Sequence, residues 1–286
     1  MRDIGNILRA DAARLDAALT LGTATARIEV QCLLQNALKV PRSYLLAHPE
    51  QVLDATQQAS YANLLQRRLQ GEPVAHILGE REFFGLNFKV TPATLIPRPE
   101  TELLVELALQ RIPAHGHFRV LDMGTGSGAI ALSIAHARPE AEVVAVDASG
   151  AALEVARENA VRLGIRNATF IRSDWYAALD DKRYGLIVSN PPYIETGDAH
   201  LTQGDLRFEP PSALASGADG MDDIRRIVGQ AHRFLELGSW LLLEHGYEQA
   251  ETVRLLLGQN GFANVFSVKD IAGIERVSGG MLEQSC

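Results

Sequence analysis

Cysteine is nearly missing from this chain: Cys32 and Cys286 are the only two. One falls on an apolar helical face and the other is the last residue. Neither stands at metal-ligand spacing, so a disulfide framework, a zinc site or any other metal site is not expected. The pair is read as thiols in a reducing compartment. Long hydrophobic runs are missing too. None approaches the ~20 residues of a membrane span, and the longest candidate, Trp240–Leu243, suits a buried strand. No signal-peptide apolar core opens the sequence. A cytoplasmic protein without membrane contact is therefore expected. Positive charge is in deficit, with 27 Lys and Arg against 35 Asp and Glu and a net charge of -8. That balance argues against direct nucleic-acid binding, which neutralises phosphates with basic side chains. What remains is an ordinary folded composition, 47% hydrophobic and 22% charged over 286 residues. It suffices for one large domain or two modest ones.

The first ~75 residues carry a helical period. Val30, Leu33, Leu34, Ala37 and Leu38 share one face, and Tyr61, Leu64, Leu65 and Leu69 share another further on. Asp54 followed by Gln57 reads as a reciprocal N-terminal cap, and Gly71 and Pro73 end that helix. From Ile77 to Val90 the pattern changes. Phe83, Phe84, Phe88 and Val90 surround Gly85-Leu86-Asn87, predicting a short hairpin with a glycine-assisted turn. Thr91-Pro92 and Ile96-Pro97-Arg98-Pro99 follow as a proline-stiffened extension, and Pro99 can open the next helix. These shifts divide the chain into a helical domain (1–76), a hairpin linker (77–98) and a second domain (99–286).

In the second domain strands and helices alternate. The expected strands are Phe118–Asp122, Glu142–Asp147, Ala168–Arg172, Gly185–Ser189, Ser239–Glu244, Val265–Lys269 and Glu275–Met281. The expected helices are Ala129–Ala137, Ala151–Leu163, Ile224–Phe234 and Glu248–Leu257. Helices of this length between strands imply right-handed crossovers, hence an α/β fold with a doubly wound, mostly parallel, Rossmann-like sheet. The polar, glycine-containing stretch Ile194–Met221 is long for a loop, and loops of that length are usually functional or mobile.

Asp122-Met123-Gly124-Thr125-Gly126-Ser127-Gly128 joins the first strand to its helix, at the sheet edge where ligands bind. Gly124, Thr125, Gly126, Ser127 and Gly128 are candidate cofactor-binding residues, as is Asp147, whose carboxylate suits a ribose diol. The glycines alone also satisfy a dinucleotide pattern. Two features favour S-adenosylmethionine. Asp122 stands directly before the glycines, where a carboxylate can face a cation. Asp174 and Trp175 follow the third strand, where a carboxylate can accept from an adenine amino group and an indole can lie on the ring.

Asn190-Pro191-Pro192-Tyr193 follows its strand at the same edge. An amide or aniline-like nitrogen is a poor nucleophile because its lone pair is delocalised. Two acceptors aimed at its N–H bonds localise that lone pair: the Asn190 side-chain oxygen and the Pro191 carbonyl. The prolines stiffen the turn, and Tyr193 offers a flat face to a planar group. Asn190, Pro191 and Tyr193 are thus candidate catalytic residues. All four, Pro192 included, are candidate substrate-binding residues, with Asn190 also placed beside the cofactor.

With these motifs in hand the chain resembles the bacterial peptide-chain release factor glutamine methyltransferases, known as PrmC or HemK. The resemblance runs nearly end to end. It includes the helical start, Glu82-Phe83-Phe84-Gly85, Leu95-Ile96-Pro97-Arg98-Pro99-Glu100-Thr101-Glu102, the glycine loop, Asn190–Tyr193, Arg207-Phe208-Glu209-Pro210 and Ala213-Leu214. It implies a class I methyltransferase sheet with a helical substrate-recognition domain, and S-adenosylmethionine as cofactor. Class 1 release factors would be the protein partner and substrate, methylated on the glutamine of their Gly-Gly-Gln loop. It also implies that the Pro97–Glu102 segment flanks the cofactor's methionine part. His200 and His245 match no motif and are expected to be surface or structural residues. Four other readings stay open from the residues alone: a glutamine methyltransferase of a ribosomal protein, an adenine-N6 nucleic-acid methyltransferase, an NAD dehydrogenase, and a cofactor-binding module without catalysis.

Overall fold

The computed structural model describes residues 2–283, so Cys286 lies outside the described residues. The described residues form two units, one of residues 2–80 with 202–208, the other of residues 81–201 with 209–283.

The first unit is helical: α1 (Ile4–Leu19), α2 (Thr23–Leu38), α3 (Arg42–Ala47), α4 (Ala55–Leu69) and α5 (Val74–Leu78). Local chemistry sets the starts. Asp3 caps α1 by accepting from the Asn6 amide, and Asp54 and Gln57 form the reciprocal cap of α4. The apolar stripes meet in one core of Ile4, Leu15, Val30, Leu33, Leu34, Tyr61 and Leu65, among others. Each such side chain, fully buried, contributes roughly 1.5–3 kcal/mol of hydrophobic stabilisation. Arg68 is also buried here. It holds Glu29 through Nε at 2.7 Å and Nη2 at 3.1 Å, and Asp205 through Nη1 at 3.0 Å. Cys32 is half-buried in α2.

The second unit opens with the hairpin β1 (Glu80–Phe83) and β2 (Leu86–Lys89). Its turn is Phe84-Gly85, with φ of 52° and 75°, one residue earlier than the pattern suggested. Two left-handed residues in a two-residue loop match the twist of paired strands, so Leu86 and Asn87 belong to β2. Phe83 and Phe88 then pack on the core of this unit. Pro99 opens a single 3-10 turn, Pro99–Thr101, that leads into α6 (Glu102–Leu109).

The remaining elements are β3 (Phe118–Met123), α7 (Ala129–Ala137), β4 (Ala141–Asp147), α8 (Gly150–Leu163), β5 (Ala168–Arg172), β6 (Tyr184–Ser189), α9 (Asp222–Phe234), β7 (Leu235–Glu244), α10 (Ala250–Gln259), β8 (Phe262–Lys269) and β9 (Glu275–Leu282). The seven-stranded sheet has the order β5-β4-β3-β6-β7-β9-β8. All neighbours are parallel through β7; β9 is antiparallel to both β7 and β8. Alternate residues feed opposite faces. Leu186 and Val188 join a core with α6 and α7, while Ile187 joins another with α9 and α10. Strand order reverses between β3 and β6, so their carboxyl ends flank the switch point at which doubly wound sheets bind ligands. A bond of 2.6 Å from the Ser189 hydroxyl to the Met123 carbonyl ties the two ends together.

Several boundaries shift from the pattern, among them the starts of β8 and α9, and two of the shifts have a visible cause. β7 starts at Leu235, directly after Phe234, and reaches its apolar half through an irregular register opposite Tyr184 and Leu186. α10 starts at Ala250 rather than Glu248, because the Gln249 side chain is bonded to the Gly246 amide and the Tyr193 carbonyl. The stretch 194–221 is short 3-10 turns on a paired stem, with Ile194 bridged to Ala215 and the Thr196 amide on the Gly217 carbonyl at 2.9 Å. Among the described residues no helix is long and apolar enough to cross a membrane.

Candidate active site

A cavity of about 240 Å³ opens at the switch point. Its wall includes Gly124, Gly126, Asp147, Asp174, Trp175, Asn190 and Pro192. The backbone sets the first of these. Gly124, Gly126 and Gly128 all have positive φ, between 56° and 83°. A side chain in that region is strained, and a Cβ on Gly124 would stand 3.4 Å from the Trp175 ring. The Gly124 and Thr125 amides both bond the Val146 carbonyl at 2.9 Å, stitching the loop to the end of β4.

Thr125, Ser127 and Gly128 do not reach the wall. They build the loop instead. The Thr125 hydroxyl donates to Asp122 at 2.6 Å, and the Ser127 carbonyl accepts from Asn159 at 2.9 Å. A Cβ on Gly128 would press on Leu132 and Ala156 at 3.0 and 3.2 Å. Asp122 does not reach the wall either. It is fully buried beneath the loop, and burial pushes its carboxyl pKa up to about 7. A carboxylate at this position faces Thr125 and the helix behind it, because the strand must alternate its side chains and the next turn folds over them.

Asp147 faces the cavity. Its Oδ2 accepts from the Gly126 amide at 2.9 Å and its Oδ1 from the Ser149 amide at 2.8 Å. Burial raises its pKa and these two bonds oppose the rise. Each oxygen keeps a lone pair for a further donor, as a vicinal diol would provide. Asp174 is exposed and pairs with Arg226 at 2.7 Å. Trp175 has φ of 52°, and its indole N–H donates to Asp223 at 3.0 Å. The Ser216 hydroxyl holds the other Asp223 oxygen at 2.8 Å. The ring is thus fixed edge-on by α9 while it flanks Gly124.

Asn190 lies at the end of β6 with its Nδ2 donating to the Thr101 hydroxyl at 3.2 Å. Within the described residues no donor reaches its Oδ1 or the Pro191 carbonyl. Pro191 is buried and stands between Asn190 and Pro192, which both line the cavity. Tyr193 lies outside the wall. Its hydroxyl is 3.5 Å from Glu244 Oε1, and its pKa is raised chiefly by burial and next by the Glu244 charge.

Several wall residues were not among the candidate site residues: Ala93, Thr94 and Leu95 from the extended segment, Pro210, Ser212 and Ala213 from the stretch before α9, and Asp223 and Arg226 from α9. Asp223 had one usable signal, an acidic pair in the first turn of an amphipathic helix. Glu209 secures the extended segment, accepting from the Ile96 amide at 3.0 Å and pairing with Arg98. His245 is buried between Gly246 and Ser278, and His200 is exposed beside Asp198. Neither lines the cavity.

Residues 100–209 match the model of the methyltransferase small domain, and residues 8–79 that of the PrmC N-terminal domain. A release factor glutamine methyltransferase of Burkholderia pseudomallei is 52% identical over 279 residues, which is 96% of each chain. One of Vibrio cholerae is 49% identical over 260 residues, 91% of each chain. A solved methyltransferase from Pyrococcus furiosus superposes with a TM-score of 0.54 at 18% identity, over 78% of this chain and 100% of its own, and shares the fold.

Proposed function

The chain belongs to the release factor glutamine methyltransferases, and on that premise we propose that it methylates the side-chain amide nitrogen (N5) of the glutamine in the Gly-Gly-Gln motif of class 1 peptide chain release factors. S-adenosylmethionine, the cofactor, supplies an electrophilic methyl group when bound.

The cavity suits that cofactor. Gly124 and Gly126 let a ligand approach the backbone, Asp147 has lone pairs for a diol, and Asp174 and Trp175 flank the far end. Thr125, Ser127 and Gly128 serve by shaping the loop. Asn190 and the Pro191 carbonyl carry the reading. They are two unshared acceptors at the edge of the wall, on a turn that two prolines stiffen. Held there, a primary amide gives one N–H to each acceptor, and its nitrogen lone pair points away from both. Most of the acceleration then comes from alignment, an effect worth roughly 7–11 kcal/mol at best. Pro192 and Tyr193 support the turn. We take residues 1–76 as the domain that recognises the release factor, 77–98 as the linker and 99–286 as the transferase domain, acting in the cytoplasm.

Methyl transfer from labelled cofactor tests the reading. A purified release factor, the same factor with its loop glutamine changed to alanine, a ribosomal protein and DNA are offered side by side. Label on the first alone is expected; label on ribosomal protein or DNA moves the function to that substrate. Asn190→Ala should keep cofactor affinity and lose turnover by at least about a hundredfold, and retained turnover would sink the two-acceptor mechanism.

A further inference from the structure

We infer that Glu244, through Thr101 and Tyr193, is a positioning residue that keeps the Asn190 amide turned with its carbonyl oxygen toward the substrate. The inference rests on the acceptor role given to Asn190 above.

The register brings the groups together. Ser189 pairs with Leu243 across β6 and β7, so Asn190 and Glu244 are the next residues on two parallel neighbours. Thr101 ends the 3-10 turn after the proline-stiffened segment, and its hydroxyl accepts from Asn190 Nδ2 at 3.2 Å. Thr101 is buried, and its hydroxyl also lies beside the Glu244 carboxyl. The two ends of an amide are nearly equal in size, so only hydrogen bonding tells nitrogen from oxygen. A hydroxyl receives a bond from Asn190 reliably when its own hydrogen has another acceptor. The Glu244 carboxyl, packed beside Thr101, is the group we assign to take that hydrogen. On the other side, its Oε1 faces the Tyr193 hydroxyl at 3.5 Å. One carboxyl therefore faces Tyr193 at one end of the turn and Thr101, the partner of Asn190, at the other.

Glu244 is costly to keep. It is 2% exposed, and no donor reaches its Oε2 with hydrogen-bond geometry. A buried acid with so few partners does not stabilise a fold. The groups facing it are Thr101 and Glu100 from the 3-10 turn, Tyr193 after β6, and Arg276 from β9. Burial is the largest influence and pushes its pKa up to about 7. Thr101, Arg276 and Tyr193 pull it down, and Glu100 adds to the rise. As a carboxylate, Glu244 only accepts, and the Thr101 hydrogen has one place to go. As an acid it competes to donate to Thr101, whose hydrogen then turns toward Asn190; the amide flips to present Oδ1 to Thr101, and the acceptor meant for substrate is lost. Turnover should therefore climb as pH rises through about 7.

The test compares kcat, the KM for the release factor and calorimetric cofactor affinity in wild type, Glu244→Gln, Thr101→Val, Thr101→Ser and Asn190→Ala. Glu244→Gln and Thr101→Val should lower kcat about tenfold to a hundredfold with cofactor affinity intact. Thr101→Ser should retain most of the rate, and Glu244→Gln should flatten the rise of kcat through neutral pH. Wild-type kcat in both Glu244→Gln and Thr101→Val, losses that merely track cofactor affinity, or an unchanged pH profile in Glu244→Gln would overturn the proposal. If Glu244→Gln does not fold, the Thr101→Val and Thr101→Ser pair decides by the same kcat criterion. Retained turnover in Asn190→Ala would instead remove the acceptor reading beneath it.

Discussion

Two regions of this molecule bury charge, and they treat it in opposite ways. In the helical unit Arg68 is 1% exposed and satisfied on every side: two bonds to Glu29, one to Asp205, and two from Nη1 to the Gly71 and Glu72 carbonyls. Burial works against its charge, but Glu29 and Asp205 outweigh burial and raise its pKa above the ordinary value. At the strand ends of the sheet unit, Asp122 and Glu244 are just as buried, and each has an oxygen without a hydrogen bond. Burial wins there, and both carboxyls titrate near pH 7. A buried charge that serves the fold is compensated. Asp122 and Glu244, at strand ends beside the candidate site, are left undercompensated, and so stay able to respond to their surroundings.

Breaking the compensated cluster should have the largest effect. Arg68→Ala leaves Glu29 charged and mostly buried, and should cost about 3–5 kcal/mol in urea unfolding of the full chain. A loss under about 1 kcal/mol would mean the cluster is not compensated as described.

The strand-end acids should behave the other way. A carboxyl whose folded pKa lies above its unfolded value makes the folded state hold the extra proton. That contribution is complete below about pH 4 and is lost as pH rises through about 7. Glu244→Gln removes the titration. Its stability relative to wild type should therefore improve from pH 4 to pH 8, by at most about 3 kcal/mol, the equivalent of moving a carboxyl from 4.5 to about 7. Thermal melts across that range check the sign. Asp122→Asn should show the same slope; a flat difference in both variants would mean neither acid is undercompensated.

Smaller effects should follow at the edges of each region. Gly124→Ala places a side chain at φ of 75° on the cavity wall. It should lower stability by about 1–2 kcal/mol and weaken cofactor binding, as melts and calorimetry would read. Asp205 is 40% exposed at the rim of the Arg68 cluster. Asp205→Ala should cost under about 1 kcal/mol, and a loss comparable to that of Arg68→Ala would make the rim as important as the buried pair.

Much of this was legible along the chain. The Asp54–Gln57 cap, the apolar stripes of α2 and α4, and the strand spans of the sheet depend on interactions within a few residues or on a simple period. The glycine loop and Asn190–Tyr193 were legible for the same reason, since each is one short turn after a strand. The misses have a common cause. The hairpin turn moved to Phe84-Gly85 because strand pairing chose the left-handed pair. Gln249 left α10 because its side chain reached Tyr193, 56 positions back. Glu244 did carry a signal, as a lone acid closing the apolar run Trp240–Leu243, but nothing nearby in the sequence names its partners.

The amino-acid order by itself determined the period of each helix and strand and the turns that end at the sheet's carboxyl edge, because hydrophobic patterning and turn chemistry are local. Only the tertiary structure decided which carboxylates face the cavity and which lie beneath it. Asp147 accepts one bond from its own turn, the Ser149 amide, and one from Gly126 in the neighbouring glycine loop, and opens outward, while Asp122 is roofed by the loop that follows it. It alone decided that Thr101, Asn190, Tyr193 and Glu244 meet, because strand order places β7 beside β6 and returns a turn from 89 residues upstream to the same edge. Such contacts are set by the packing of distant segments, and no spacing along the chain encodes them.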